Sequence, residues 1–487
     1  MSNKFPDFPE EKFAFVQQDE AIRDTAFETK QIGYFRDAMR RFKKNKSSVA
    51  AAVIILLLIL FAIFTPIFST YDMGFTDSYY TYTSPKCTLL SGLGIWNGTS
   101  SRTINQQSYD YYEAAGAILE VKNSYELTDS GRTNTYYDVK IDDYRAVGYE
   151  YINLTRSEYE AAVAYENETG KQLLYPMVNL SKVQQESNAT DANYWYEHNQ
   201  RGVAARDADG NLVPIYKSDE NSTDGLSYYT MKMNGNQYQV RVYYYDWFAY
   251  KNGQAPAFLF GTDYMGHDIL ARLASGARFS LLLSVIVSAI NFIIGTIYGA
   301  IEGYYGGKAD LIMERIADVL YSIPYMVMFS LLQLRWGKEI GVVGALLLAF
   351  VLTGWIGVAA TVRSQFYRFK GQEYVLAART LGAKDGRLIA RHILPNALGT
   401  IVTSCVLMVP GVIFTESSLS YLGVLNLDSA TLTSVGTMLS SAQTALSTYP
   451  HAIFFPALFI SLMMISFNLF GNGLRDALNP TLRGAGD

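Results

Sequence analysis

Two cysteines in 487 residues, Cys87 in a polar stretch and Cys405 in an apolar run, exclude a disulfide framework and a cysteine metal site. Four histidines, His198, His267, His392 and His451, never fall at metal-ligand spacing and read as solvated or capping side chains. There is no basic excess: the formal net charge is −5, which argues against the clustered positive footprint of a nucleic-acid binder. A phosphate-cradling Gly-x-x-x-x-Gly-Lys-Ser/Thr loop is missing too. The near miss "GYYGGKA" at 303–309 is one residue too short and has Ala309 where a magnesium-binding hydroxyl belongs. Nucleophile elbows, HExxH and paired carboxylates in a plausible frame are absent, which disfavours a membrane enzyme. Charge itself is scarce, at 17% against 49% hydrophobic residues, yet mean hydropathy is close to zero. The chain must therefore be a mosaic of apolar and polar blocks.

The apolar blocks come first. Residues 47–71 hold no charge and are long enough to cross a bilayer. The basic stretch "RDAMRRFKKNK" at 36–46 keeps their leading end in the cytoplasm, and no small-residue cleavage site ends the run. Further crossings are expected at 279–301, 311–334, 341–362, 397–422 and 451–472. Six crossings leave both termini inside and place 363–396 in the cytoplasm. There Arg363, Arg368, Lys370, Arg379, Lys384, Arg387 and Arg391 outweigh Glu373 and Asp385. Glu314, Arg315 and Asp318 fall in the first turns of a crossing, where local pairing or reach to the interface is expected. Ser404, Thr415, Ser417, Ser418 and Ser420 fit either a wet pathway or hydrogen bonds between helices.

The expected organisation is a cytoplasmic segment 1–46, a first crossing 47–71, an extracytoplasmic α+β insert 72–262, a five-helix core 263–472 and a cytoplasmic tail 473–487. The insert holds most of the 37 tyrosines. "YYDVKIDDY" reads as a strand and "YYTMKMNGNQYQVRVYYYDW" as a hairpin turning at Asn234 and Gly235. "SEYEAAVAYENETG" at 157–170 reads as a helix stopped by Gly170.

"EYVLAARTLGAKDGRLIARHILPN", residues 373–396, is the most informative stretch. Tyr374, Ala377, Ala378 and Leu381 form one helical stripe, and Gly382 permits a sharp turn. A second pattern then places Leu388, Ile389, His392 and Ile393 on one face, with Asp385 able to cap it. Pro395 ends that pattern. The product is an elbow, apolar on one side and basic on the other, suited to a groove in another protein or to an anionic lipid surface.

These residues resemble the EAA loop of ABC-importer permeases: Ala377, Ala378, Gly382, Leu394 and Pro395 fall at matching positions. Leu376 stands where the pattern has Glu, so a salt bridge from that position loses its carboxylate; His392 stands where it has Ile. The wording is most similar to the dipeptide, oligopeptide and nickel family, as are "GTDYMGHDILARLASGARFSL" at 261–281, "TESSLSYLGV" at 415–424, "SVGTMLSSA" at 434–442 and "GNGLRDALNPTLRG" at 471–484. These stretches resemble its C-type subunit, over roughly 30–70 and 258–487, with an external insert far longer than usual.

The resemblance implies an all-α polytopic membrane protein of the type I ABC importer fold, with six helices, in a bacterial plasma membrane. It implies a second homologous permease, two cytoplasmic ABC ATPases that hold ATP and magnesium, an extracytoplasmic lipoprotein binding protein, and a peptide substrate. The chain itself would need no cofactor and would perform no catalysis. The residues expected to couple to the ATPases are Glu373, Ala377, Ala378, Arg379, Leu381, Gly382, Ala383, Lys384, Asp385, Arg387, His392, Leu394 and Pro395. Nickel, glutathione or an oligosaccharide are alternative cargoes. A membrane receptor with a large outer domain is the alternative from another class, though the inner face offers no output domain.

Overall fold

The computed structural model describes residues 34–478 apart from 89, 130–131, 189 and 430. The expected N-terminal segment up to residue 33 and the tail beyond 478 lie outside the described residues. Helix α1 (Tyr34–Lys44) buries Ala38 and Phe42, the latter edge-on to Phe470 at 5.3 Å. Asn45 caps α2 (Lys46–Phe68), its side-chain oxygen accepting from the Ser48 amide at 3.3 Å. Ser48 seats against Gly473, where a Cβ would meet its hydroxyl at 1.9 Å, so the first long helix is fixed against the last.

Two antiparallel sheets follow. The first has the order β1-β3-β2, from β1 (Thr99–Asn105), β2 (Ile118–Asp129) and β3 (Arg132–Asp142), with α3 (Gln106–Ala114) between β1 and β2. The second is built around a central strand, β7, that pairs with β4 (Tyr149–Leu154), β5 (Leu174–Tyr175) and β6 (Tyr229–Lys232); β7 itself spans Gln237–Tyr243. Helix α4 (Arg156–Thr169) has a full capping box between Thr155 and Glu158 and ends at Gly170, as its sequence implied. The hairpin around Gly235 also forms, but its turn is wider than a two-residue loop, with Met233 and Gly235 both at positive φ. Helix α5 (Tyr244–Asn252) closes this part.

The tyrosine abundance has a packing reason. Tyr80 and Tyr144 are fully buried with Tyr71, Phe248 and Phe258 in one aromatic core. Buried phenols need partners, and the Tyr144 hydroxyl donates to the Ser84 carbonyl at 3.0 Å while accepting from the Phe258 amide at 3.1 Å. Arg241, 1% exposed, has no carboxylate partner among the described residues. It donates to the carbonyls of Ala192 (2.9 Å) and Pro176 (3.2 Å) and lies 3.9 Å over the Tyr149 ring. The two ends of the sheet region run side by side: the Lys86 amide donates to Phe258 O at 2.8 Å and the Asp77 amide to Gly266 O at 3.2 Å. The chain thus leaves and rejoins the helical core at one place.

The core consists of α6 (Ile269–Tyr305), α7 (Gly307–Tyr321), α8 (Tyr325–Gly354), α9 (Ile356–Phe369), α10 (Glu373–Thr380), α11 (Asp385–Arg387), α12 (Leu394–Tyr421), α13 (Val435–Ala442) and α14 (His451–Leu478). Among the described residues five helical segments are long and apolar enough to cross a membrane, one fewer than six. One of the five, Tyr325–Phe369, is not straight. Gly341 within it has φ 73° and ψ 168°, a region open essentially to glycine alone. Along a straight helix at about 1.5 Å per residue, Tyr325 and Phe350 would stand ~38 Å apart. Their ring centroids are 5.0 Å apart, so the chain folds back at Gly341 into two legs. The crossing expected at 311–334 is correspondingly no single helix: it is split between α7 and α8 by the break at Ser322–Pro324.

Several charged and polar groups in this core are paired. Arg315 and Asp318 bond locally at 2.9 Å on an exposed face, as expected, but Glu314 reaches across to Arg363 at 3.0 Å. Asp310 binds the same guanidinium in two-pronged fashion, at 2.6 and 2.9 Å. Arg363 is therefore not a free positive charge. On α12, Ser404, Thr415 and Ser418 bond back to carbonyls of their own helix, and Ser417 and Ser420 are buried, Ser420 donating to Glu416 at 3.2 Å. His198 and His267 are not solvated. His198 sits against the Tyr196 carbonyl, and His267 lies 3.0 Å from Asp263 and 2.9 Å from the buried Arg272.

Candidate functional site

Helix α6 joins two distant places. At its start, Arg272 pairs with Asp428, which also accepts from the Tyr264 hydroxyl at 2.8 Å, next to the sheet region. At its end, ~48 Å away by helix rise, Tyr304 meets the elbow. Residues 295, 299 and 303 on α6 are glycines at four-residue spacing, and α9 lies directly on them. A Cβ at Gly295, Gly299 or Gly303 would meet α9 atoms at 2.6, 2.2 and 2.7 Å. Lys370, just past α9, donates to the Gly303 carbonyl at 2.9 Å and fixes the start of the elbow.

The elbow turns where its sequence implied. Gly382 has φ +84°; its amide donates to Arg379 O at 3.0 Å and the Ala383 amide donates to Ala378 O at 3.1 Å. This is the paired-bond helix stop that needs a left-handed residue, with Ala378 and Ala383 as its small apolar contact, both half-buried. Beyond it the backbone differs from expectation. Asp385 caps nothing, because Lys384 occupies the cap position without a side-chain bond. The Asp385 carboxylate instead accepts from the Tyr304 hydroxyl at 2.5 Å, and Tyr304 accepts from Arg379 at 3.3 Å. One tyrosine therefore ties both arms of the elbow to the end of α6. Leu388–Ile393 is a π-helical stretch leading into α12, a wider turn than the second α-helical pattern expected there.

The two arms bury different faces. Val375, Leu388 and Ile393 are fully buried against Val362, Phe366, Ala397 and Ile401. The second stripe is therefore an anchor to the chain's own core and no docking face, with Ile389, His392 and Leu394 half-buried beside it. The first stripe stays open: Tyr374, Ala377 and Leu381 are exposed, Leu381 to 88%, with Leu376 beside them at 46%. Glu373, Arg379, Lys384, Arg387 and Pro395 are exposed around it, while Ala378 turns inward. Asn396 donates to the Tyr374 hydroxyl at 3.2 Å, fixing the outer arm against the inner one. The result is an apolar tip ringed by charge on a braced mount. Val375, Tyr304 and the α6 glycines were missed in the sequence; the four-residue glycine spacing was the signal available.

Two stretches of the chain match known protein families. Residues 33–85 match the N-terminal TM domain of oligopeptide transport permease C, and residues 292–484 match the binding-protein-dependent transport system inner membrane component. The chain belongs to the binding-protein-dependent transport permeases, in their C-type branch. Residues 86–291 lie outside both matches. The permease is 48% identical over 224 residues to the oligopeptide transport system permease protein OppC of Bacillus subtilis (strain 168), covering 46% of this chain and 72% of that protein. It is 46% identical over 225 residues to the dipeptide transport system permease protein DppC of the same organism, covering 46% and 69%. Among solved structures, the inward-facing MetNI methionine ABC transporter aligns with 42% of this chain and 96% of its own, at 16% identity and a TM-score of 0.36. The permease is a multi-pass membrane protein with the type I importer transmembrane fold, and a non-catalytic subunit.

Proposed function

We propose that this permease is one of two membrane subunits of an ATP-driven importer of oligopeptides or dipeptides. The relatives named for those cargoes support the substrate. ATP and magnesium are held by two partner ATPases on the cytoplasmic side; the basic clusters at 36–46 and 363–396 support that side for the termini and the elbow. An external lipoprotein delivers peptide to the opposite face. The observation that carries the coupling role is the open stripe ending in Leu381, an apolar knob left 88% exposed, mounted on a backbone whose other face is fully buried. Such a knob in an ATPase groove moves with that groove, and the Tyr304 tie passes the motion to α6. Only a part gripped differently in two states biases an equilibrium, and the tip is placed to be gripped.

Leu381→Cys carrying a short bifunctional crosslinker, in the purified assembly, is expected to give a permease–ATPase adduct whose yield changes with trapped ATP. Adducts to lipid alone would remove the coupling role.

The sheet region 72–262 stands over the outer mouth in this reading and receives the binding protein. Because Lys86 and Phe258 are hydrogen-bonded neighbours, a short Gly-Ser linker can replace 88–256 without moving the helical core. That variant is expected to capture the binding protein at least tenfold more weakly. Unchanged capture and uptake would rule the role out.

A further inference from the structure

No charged residue occurs between Lys86 and Arg102, within an otherwise polar and acidic region. The segment folds into a compact loop: the Cys87 amide donates to Trp96 O at 2.7 Å and the Ser91 amide to Cys87 O at 2.8 Å. Leu90, Ile95 and Trp96 are all exposed, Ile95 to 61%. Trp96 holds φ +51°, a conformation bulky residues rarely adopt.

That backbone aims the indole at one place. The Trp96 ring lies edge-on to Phe260 (6.1 Å) and Phe455 (5.9 Å), and Phe260 stacks on Phe455 at 4.0 Å. Phe455 fixes the depth. The uncharged run of α14 extends from Ala452 to Leu474, 23 residues where the hydrocarbon core requires about 20, so a crossing has only about one turn to spare. Phe455 is one turn in from its start and thus lies within a turn of the hydrocarbon edge. Phe454, beside it, is exposed on the surface of the helix. Indole rings favour this depth, where an apolar body meets lipid and the N–H meets headgroups.

We propose that loop 87–97 is an interfacial anchor: Leu90, Ile95 and Trp96 enter the headgroup boundary of the leaflet on the sheet side, next to Phe454. Thr88, Ser91 and Asn97 meet the headgroups. The occupant is lipid because the exposed patch adjoins exposed Phe454 at the start of a helix long and apolar enough to cross a membrane, and carries no charge for a protein partner to read. The loop holds the sheet region down on the bilayer, and so sets its tilt over the helical core.

The test places a spin label at Ile95→Cys in a Cys87→Ala, Cys405→Ala background, with the full assembly in nanodiscs, and compares collisions with oxygen and with a water-soluble nickel chelate. Labels at Phe454→Cys and Thr128→Cys give the lipid and water references. The oxygen-to-nickel ratio at 95 is expected to match that at 454 and exceed that at 128 at least threefold. A ratio matching 128, or low collision with both reagents as under a protein partner, overturns the proposal. A second measurement needs no substitution: a diazirine-bearing phospholipid is expected to label the 88–96 peptide of the unmodified assembly, and absence of label there overturns it equally.

Discussion

Gly299→Leu is expected to prevent the permease from accumulating in the membrane, or to lower its unfolding temperature by many degrees if some survives. A Cβ at 299 would sit 2.2 Å from the Ala359 carbonyl oxygen, and backbone cannot retreat as a side chain can. The same contact repeats a turn away in each direction at Gly295 and Gly303. Separating α6 from α9 at 299 therefore opens the whole seam. Overpacking in a close-packed interior costs about 1–3 kcal/mol where neighbours can move, and more where the obstacle is backbone. Lipid supplies no hydrophobic force to press the helices back together, so close approach is itself the attraction being lost. Asn291, one turn before Gly295, donates to the Phe350 carbonyl at 3.2 Å and would be left unpaired as the seam opens. The control is Gly411→Leu on α12, where a Cβ meets nothing within 4 Å. Membrane content and thermal melting of the two variants decide the matter: equal behaviour would mean that the seam is not what holds these helices.

Much of this architecture was legible because the bilayer imposes one rule on every crossing: a run of about 20 apolar residues without charge. Residues 47–71 and 451–472 read that way, and α2 and α14 formed there. The region 311–362 read less well, since hydropathy does not record that Gly341 reverses the chain or that Pro324 divides a leg in two. In the elbow, Gly382 was legible because a glycine after a periodic run has one common use. The inward turn of Leu388 and Ile393 was not, because periodicity reports that residues share a face and is silent on what the face meets. Asp385 was misassigned for a related reason: capping is a local rule, and the hydroxyl that captures this carboxylate belongs to Tyr304, 81 residues away. Arg241 shows the same limit inside the sheets, where its neighbours are rings and carbonyls brought together from four separate stretches of chain.

Gly382→Val is expected to abolish transport while the protein still inserts, folds and melts like the unaltered permease. Nothing lies within 4 Å of a Cβ at this position, so the substitution creates no clash. Its whole effect runs through φ +84°, which a β-branched residue resists by roughly 1–2 kcal/mol. That cost is small against the stability of the membrane core, yet it acts on the two amide bonds, at 3.0 and 3.1 Å, that set the angle between the arms. With the stop broken, α10 swings on Val375 and carries Leu381 out of register with any groove shaped to receive it. The inner arm remains buried through Leu388 and Ile393, so the membrane helices are undisturbed. Gly382→Asn isolates the cause, since asparagine tolerates left-handed backbone far better than valine. It is expected to keep most of the transport that Gly382→Val loses, with ATPase activity stimulated by the binding protein following the same order. Equal loss in both variants would show that position 382 needs its empty space and not its backbone angle, and normal uptake by the valine variant would remove the elbow from the transport mechanism altogether.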